Sequence, residues 1–293
     1  MQSEAQPRQK GRASGASSSA APHASAPSAA SAPQSPSIPV PGNIVHVPGA
    51  TLTMGFGGGT RSELKSHPVA VVSFDIDVTE VTVAAYKACV AASGCTDANE
   101  DKDGAQDVCT WWKRQPDLPI NCVSHAHAEN FCKWAGKRLP TEAEWELAAR
   151  GTDDRVFPWG NDAPKAQPCW SGDPKFGNSN AGQGVACRVG SHPDDKSPFG
   201  AFDMAGNLSE WTSSGPCDFE TRPCSFGPAF RVRRGGDHFA STPDPLRAVF
   251  RIAEVTTWGS SRRAFDAHAA VRPPTGGRDD AHPERLAARH RPG

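Results

Sequence analysis

The sequence carries no surplus of either charge. Lys and Arg total 31 and Asp and Glu 32, for a formal net charge of -1. No Lys/Arg run forms a basic strip that could attract phosphates, so a dedicated nucleic-acid binder is set aside. No apolar run approaches the roughly 20 residues that a membrane-crossing helix needs, which removes a transmembrane segment from the expectations. GxGxxG, Walker-type and GxSxG patterns are all missing, and nucleotide and serine-hydrolase chemistry lose their support with them. There is no Cys-x-x-Cys pair, so a structural zinc site has no ligand frame. Hydrophobic residues make up 37% of the chain, a figure that leaves out its 28 Gly.

What is abundant is punctuation: 28 Gly and 27 Pro. Part of that excess is local. Residues 13–41, ASGASSSAAPHASAPSAASAPQSPSIPVP, cannot bury enough apolar surface to offset ordering entropy, so residues 1–41 read as a disordered Ala/Ser/Pro-rich linker. The first residues, MQSEAQPRQKGR, lack the apolar core of a signal peptide. Residues 273–293 have no apolar period and read as a solvated tail. Between them, residues 42–272 form one domain of short elements and many turns. Nine cysteines fall in its central part, with close pairs Cys89/Cys95, Cys169/Cys187 and Cys217/Cys224 suited to stapling loops. Such usage favours an oxidising compartment, hence an exported protein (periplasm, cell surface or secreted) whose signal is absent or truncated in this chain, with a cytoplasmic protein as the alternative. Pairing itself is not fixed by spacing, and an odd count leaves at least one thiol unpaired or intermolecular.

Within the domain, IVHVPGATLTMG from Ile44 alternates and is broken by Pro-Gly, which predicts a hairpin, and Val69–Val78 predicts a further strand. Val83, Tyr86 and Val90 share a helical face stopped by Gly94. Ala128, Phe131, Cys132 and Ala135 do the same before Gly136. In RLPTEAEWELAARG, Thr141 and Glu144 form a capping box, with Trp145 and Ala148 on the inner face and Gly151 as the stop. The expected class is α+β, loop-rich and low in regular secondary structure.

The order of the motifs is more specific than any one of them. KRLPTEAEWELAARG, FPWGND, SPFGAFDMAGNLSEWTSS, RVRRGGDHF and LRAVFR follow one another, preceded by FDIDVTEVTVAAYKACV and LPINCVSHAHAENFCKWAG. Over residues 42–251 the chain resembles the formylglycine-generating enzyme family, or sulfatase-modifying factor domains. The resemblance implies that family's variant of the C-type-lectin-like fold. Trp134, Trp145, Trp159 and Trp211 lie within its motifs and are expected to pack the core.

Enzymes of the family oxidise a sulfatase cysteine in a CxPxR segment to formylglycine with dioxygen, using two cysteines that bind copper(I). Those cysteines follow the RGGS-type motif in a Cys-x4-Cys pattern. Residue by residue, the two positions fall on Ala240 and Pro245, and Asp237 replaces the motif serine. Neither residue can ligate a soft metal, so copper is not expected. The segment from Phe265 also departs from the family's usual closing GFR-type strand. The resemblance further implies a calcium site at GN-x-x-EW, with the Asn207 side chain, the Leu208 carbonyl and the Glu210 carboxylate as ligands. A second calcium candidate is Asn99, Asp101, Asp103 and Asp107 at EF-hand-like spacing, though Thr110 stands at the twelfth position and an acidic solvated loop is the plainer reading. His125-x-His127 is at most half of a metal site. Arg234 and Arg251 are candidates for shaping a peptide-binding groove.

The resulting expectation is a non-oxidase member of this family, a monomeric, exported or surface-tethered binding or accessory domain for a peptide, protein or glycan ligand. The rivals are an active formylglycine-generating oxidase and a decayed, non-functional copy.

Overall fold

The computed structural model describes residues 44–57, 64–98, 109–172, 186–219 and 226–256, together with the backbone at 265–266. All of these belong to the compact unit Ile38–Gly293. The expected linker at 1–41, the tail at 273–293, the acidic segment carrying Asn99, Asp101, Asp103 and Asp107, and Cys224 lie outside the described residues.

Four strands open the domain: β1 (Ile44–Val47), β2 (Ala50–Met54), β3 (His67–Val71) and β4 (Phe74–Asp77). The hairpin expected at Pro48-Gly49 is not there. β1 pairs antiparallel with β4, from Ile44 opposite Asp77 to Val47 opposite Phe74. β2 pairs antiparallel with β3, from Ala50 opposite Val71 to Met54 opposite His67. The two registers are continuous, so these strands make one long ribbon with a kink at Pro48–Gly49 opposite Val72–Ser73. Pro48 has no N–H to offer the ladder, which breaks the pairing there. Gly49 lets the two strands stay close, because a Cβ on it would come within 2.8 Å of the Ser73 nitrogen. The Pro-Gly signal marks a corner within the ribbon rather than a reversal.

The second sheet holds β5 (Ser209–Trp211), β6 (Phe230–Arg234), β7 (Arg251–Val255) and β8 (Phe265–Asp266) in the order β7-β6-β5-β8. β5, β6 and β7 are antiparallel neighbours, and β8 runs parallel to β5.

Three helices complete the regular structure: α1 (Val83–Ala91), α2 (His125–Trp134) and α3 (Glu142–Arg150). Each starts on a hydroxyl cap, and α3 has the capping box read from the sequence. Its Thr141 Oγ1 accepts from the Glu144 amide, and Glu144 in return accepts from the Thr141 amide at 2.7 Å. Gly151 at its end has φ 67°, a left-handed conformation that glycine adopts without penalty.

Two apolar cores flank these elements. In one, Tyr86 of α1 stacks on Phe131 of α2 and the cluster reaches Trp211 of β5. In the other, Val47, Leu52, Met54, Phe74 and Ile76 of the ribbon pack on Trp145, Leu147 and Ala148 of α3. Trp145 and Trp211 are fully buried, as core packing requires, while Trp134 and Trp159 are half-buried.

Disulfides join Cys89 to Cys95, Cys109 to Cys122 and Cys169 to Cys187. Cys217 is also disulfide-bonded, to a partner outside the described residues. Cys132 of α2 is buried. No helix among the described residues is long and apolar enough to cross a membrane.

Candidate functional site

The RRGG turn leads out of β6 and sets the geometry of the segment where a copper thiolate pair would lie. Gly236 has φ 72°, and a Cβ there would sit 2.5 Å from the Pro245 carbonyl oxygen. The turn and the Pro245 backbone are therefore in direct contact, and only glycine fits between them. In front of this contact lies a pocket of about 380 Å³ walled by Phe239, Ala240, Pro245, Phe250 and Ile252, with Asp237, Ser241 and Thr242 contributing polar groups. Ala240 and Leu246 back it onto a small core with Phe157 and Trp170. Among the described residues that line the pocket there is no thiol and no imidazole, and Asp237 is the one ionisable side chain. Asp237 Oδ1 accepts from the Phe239 amide at 3.0 Å, which fixes the turn. His238, next in sequence, turns inward: its Nδ1 is 2.8 Å from the Asn207 carbonyl and its ring packs on Phe239.

Arg234 and Arg251, expected to shape a groove, are instead spent in the core. Arg251 grips Glu142 of α3 with Nε and Nη2 at 2.7 and 2.8 Å. Arg234 donates to Glu146 and to the carbonyls of Val249 and Phe250. Arg150 donates to the same Glu146 at 2.9 Å. Three guanidinium groups thus meet two carboxylates inside the protein. Burial pushes the Glu142 carboxyl up from its ordinary range, and the charges of Arg234 and Arg251 oppose that shift. This network clamps α3 against β6 and β7; its arginines face carboxylates rather than a ligand.

The GNLSEW turn is the second chemically loaded place. Gly206 and Asn207 have φ of 80° and 48°, which lets the chain bend tightly before β5. The Asn207 side chain is already engaged: Oδ1 accepts from the Cys187 amide at 2.9 Å and Nδ2 donates to Glu80 at 2.8 Å. Glu80 also accepts from the Leu208 amide. Asp203 and Glu210 are the charged groups that act on Asp195. Glu210 accepts from Trp145 Nε1, and Asp203 Oδ2 accepts from the Gly190 amide. Asp195 is fully buried. Desolvation raises its pKa well above the ordinary carboxylate range, and the negative charges of Asp203 and Glu210 raise it further; the backbone at Ala205 opposes weakly.

A calcium ion, which the resemblance implies here, wants six to eight hard oxygens. The Asn207 side chain, one of the expected ligands, is already held by the Cys187 amide and Glu80. Among the described residues no three His, Cys, Asp or Glu side chains are already drawn into a metal-ligating group. Backbone carbonyls would therefore have to complete any such site. In PDDKSPFG, Asp195 looks like one more solvated loop acid, and nothing local marks it as buried.

His125 and His127 do separate jobs. His125 is buried edge-on to Trp211, with Nε2 3.1 Å from the Thr212 carbonyl. His127 Nδ1 accepts from the Ser124 amide and closes the α2 capping box.

A loop-built α+β domain with an RGG turn, a capped α3 and a GN-x-x-EW strand defines a known class of protein. Residues 28–262 match the sulfatase-modifying factor enzyme 1-like domain, and the chain belongs to this family, that of the formylglycine-generating enzymes. It is 31% identical over 211 residues to the inactive C-alpha-formylglycine-generating enzyme 2 of Mus musculus, covering 58% of this chain and 68% of that protein. It is equally 31% identical over 220 residues to the formylglycine-generating enzyme of Bos taurus, covering 59% of this chain and 58% of that protein. Among solved structures, PvdO from Pseudomonas aeruginosa superposes with a TM-score of 0.61 at 24% identity, over 78% of this chain and 94% of that one, which establishes the shared fold. An active and an inactive relative are equally similar, so activity has to be argued from the site.

Proposed function

We propose that this chain is a member of the family without copper-thiolate oxidase chemistry, and that it binds a ligand through the pocket between the RGG turn and β7. The observation that carries this reading is the occupancy of two positions. Where the resemblance puts the copper cysteines, this chain has Ala240 and Pro245, and both line the pocket. Copper(I) is held by soft thiolate or thioether ligands, and neither residue supplies one. The other described cysteines offer no substitute, since Cys89, Cys95, Cys109, Cys122, Cys169, Cys187 and Cys217 are disulfide-bonded and Cys132 is buried in α2.

The pocket's volume of about 380 Å³ falls in the range of roughly 300–1,000 Å³ typical of ligand sites. Walls of Phe239, Phe250, Ile252 and Pro245 favour an apolar group. The Ser241 and Thr242 hydroxyls at its side would orient polar atoms of the same ligand. An apolar side chain presented by a peptide or protein partner suits this combination. The disulfides support an exported location, because such bonds persist in oxidising compartments.

Copper(I) titration combined with dioxygen uptake in the presence of a CxPxR peptide tests the reading. The expected result is no stoichiometric copper and no uptake. One bound copper per chain with peptide turnover would restore the oxidase alternative, for which the family relationship is the argument.

A further inference from the structure

We propose that the pocket between the RGG turn and β7 takes a lysine side chain of a protein or peptide partner, its methylene stem along the apolar wall and its ammonium at Asp237. The inference rests on the pocket reading above and names the group held there.

Charge is the first observation. Asp237 is the one ionisable side chain among the described residues that line the cavity, and none of them is Lys, Arg or His. The segment from Asp237 to Pro245 supplies most of that lining, and it carries a second carboxylate, Asp244, with no Lys or Arg. An anionic ligand would meet repulsion here, and a neutral one would leave the Asp237 charge unmatched; a cation answers it. The walls are the second observation. Phe239 and Phe250 line the same cavity with Pro245 and Ile252, and Phe239 keeps 40% of its surface exposed. Phenyl rings attract cations to their faces and also cover methylene groups. Lysine joins the two requirements in one side chain, a four-carbon apolar stem with a compact charge at its tip.

The acceptors favour an ammonium over a guanidinium. Asp237 Oδ1 already accepts from the Phe239 amide at 3.0 Å, which works against the parallel two-bond grip that a guanidinium makes on a free carboxylate. An ammonium carries three donors on one nitrogen. It can take a single carboxylate oxygen together with hydroxyls such as those of Ser241 and Thr242, which line the same cavity.

The test uses the full chain and end-blocked pentapeptides Gly-Gly-X-Gly-Gly, with X lysine, arginine or norleucine, the last being the lysine stem without its charge. Dissociation constants are read by NMR titration at low salt. The lysine peptide is expected to bind roughly tenfold or more tighter than the norleucine peptide, and tighter than the arginine peptide. Asp237→Asn keeps an acceptor oxygen for the Phe239 amide and removes the charge; it should bring lysine down to norleucine and leave norleucine binding unchanged. Norleucine bound as tightly as lysine, or a lysine preference that survives in Asp237→Asn, overturns the inference and leaves the pocket reading in place. Arginine bound as tightly as lysine overturns the choice of ammonium. Should Asp237→Asn fail to fold, added NaCl decides with the parent: it must weaken the lysine peptide more than the norleucine peptide, and a salt-independent preference overturns the inference. Ser241→Trp, at an exposed position of the lining, is expected to weaken all three peptides. Peptide binding that Ser241→Trp leaves intact, or no binding of any peptide by the parent, overturns the pocket reading itself, and the inference falls with it.

Discussion

Single residues in this protein do most of their work through partners far away in the chain. Arg251 and Glu142 form a buried two-point ion pair across 109 positions. Removing one member leaves the other charge buried, which typically costs roughly 3–5 kcal/mol, whereas replacing both with apolar groups of similar size is often neutral. Arg251→Met is therefore expected to lower unfolding free energy by about 3 kcal/mol or more in urea titrations, and Glu142→Met/Arg251→Met to recover most of the loss. A double variant no more stable than the single one would contradict the pairing.

His125 makes a different kind of residue-scale prediction. Burial lowers its pKa from 6.5, with Glu129 and the Thr212 carbonyl opposing the shift and Arg231 and Lys133 adding to it. The unfolded chain therefore takes up this proton at higher pH than the folded one. Stability from a neutral His125 is present in full above pH 6.5 and is lost as pH falls through that value towards the lowered folded pKa. In Tm measurements across that window, His125→Asn should show a smaller acid-side decline than the parent. Parallel curves would remove His125 as the cause.

At the scale of elements, what the sequence revealed and what it hid divide along the length of the interaction. The α3 cap was legible because Thr141, Glu144 and Gly151 lie within one or two turns of each other and need nothing else. Thr141→Ala is expected to cost about 1 kcal/mol by thermal or urea unfolding, since it strips the acceptor from the Glu144 amide. The initial ribbon was misread for the converse reason. Alternation identified the strands, but whether Pro48-Gly49 reverses or merely kinks the chain depends on β3 and β4 arriving opposite, more than twenty residues later. Arg234 and Arg251, candidates for a groove, are held by Glu146 and Glu142 of α3, which no local pattern around RVRRGG shows.

The candidate site shows the same division. Ala240 and Pro245 could be located from the RGG motif alone, and so could Glu210 from GN-x-x-EW. That a pocket opens between Gly236 and Ile252 required the fold, as did the burial of Asp195.

On the scale of the whole molecule, short elements and long connections are held by two apolar cores, a buried ion network and disulfides. Cys109–Cys122 spans a separation of 13 residues and sits on both sides of the segment that feeds α2. Closing a loop of that size stabilises by about 3 kcal/mol in the chain-entropy view. The Cys109→Ser/Cys122→Ser chain should therefore unfold at correspondingly lower denaturant, and parent protein kept in strong reductant should move toward the same midpoint. An unchanged midpoint in the double variant would mean that the apolar core holds this region without the bond.

The sequence by itself determined the family, the helix caps, the strand-forming stretches and the residues standing at positions 240 and 245. Those properties are local or ordered along the chain, and hydrogen bonds spanning a few residues need no tertiary context. Tertiary structure alone decided that Pro48-Gly49 does not reverse the chain, that Arg234 and Arg251 are locked onto Glu142 and Glu146, and that Asp195 is buried. A charged side chain behaves according to the dielectric and the charges around it, and packing across a hundred residues sets both.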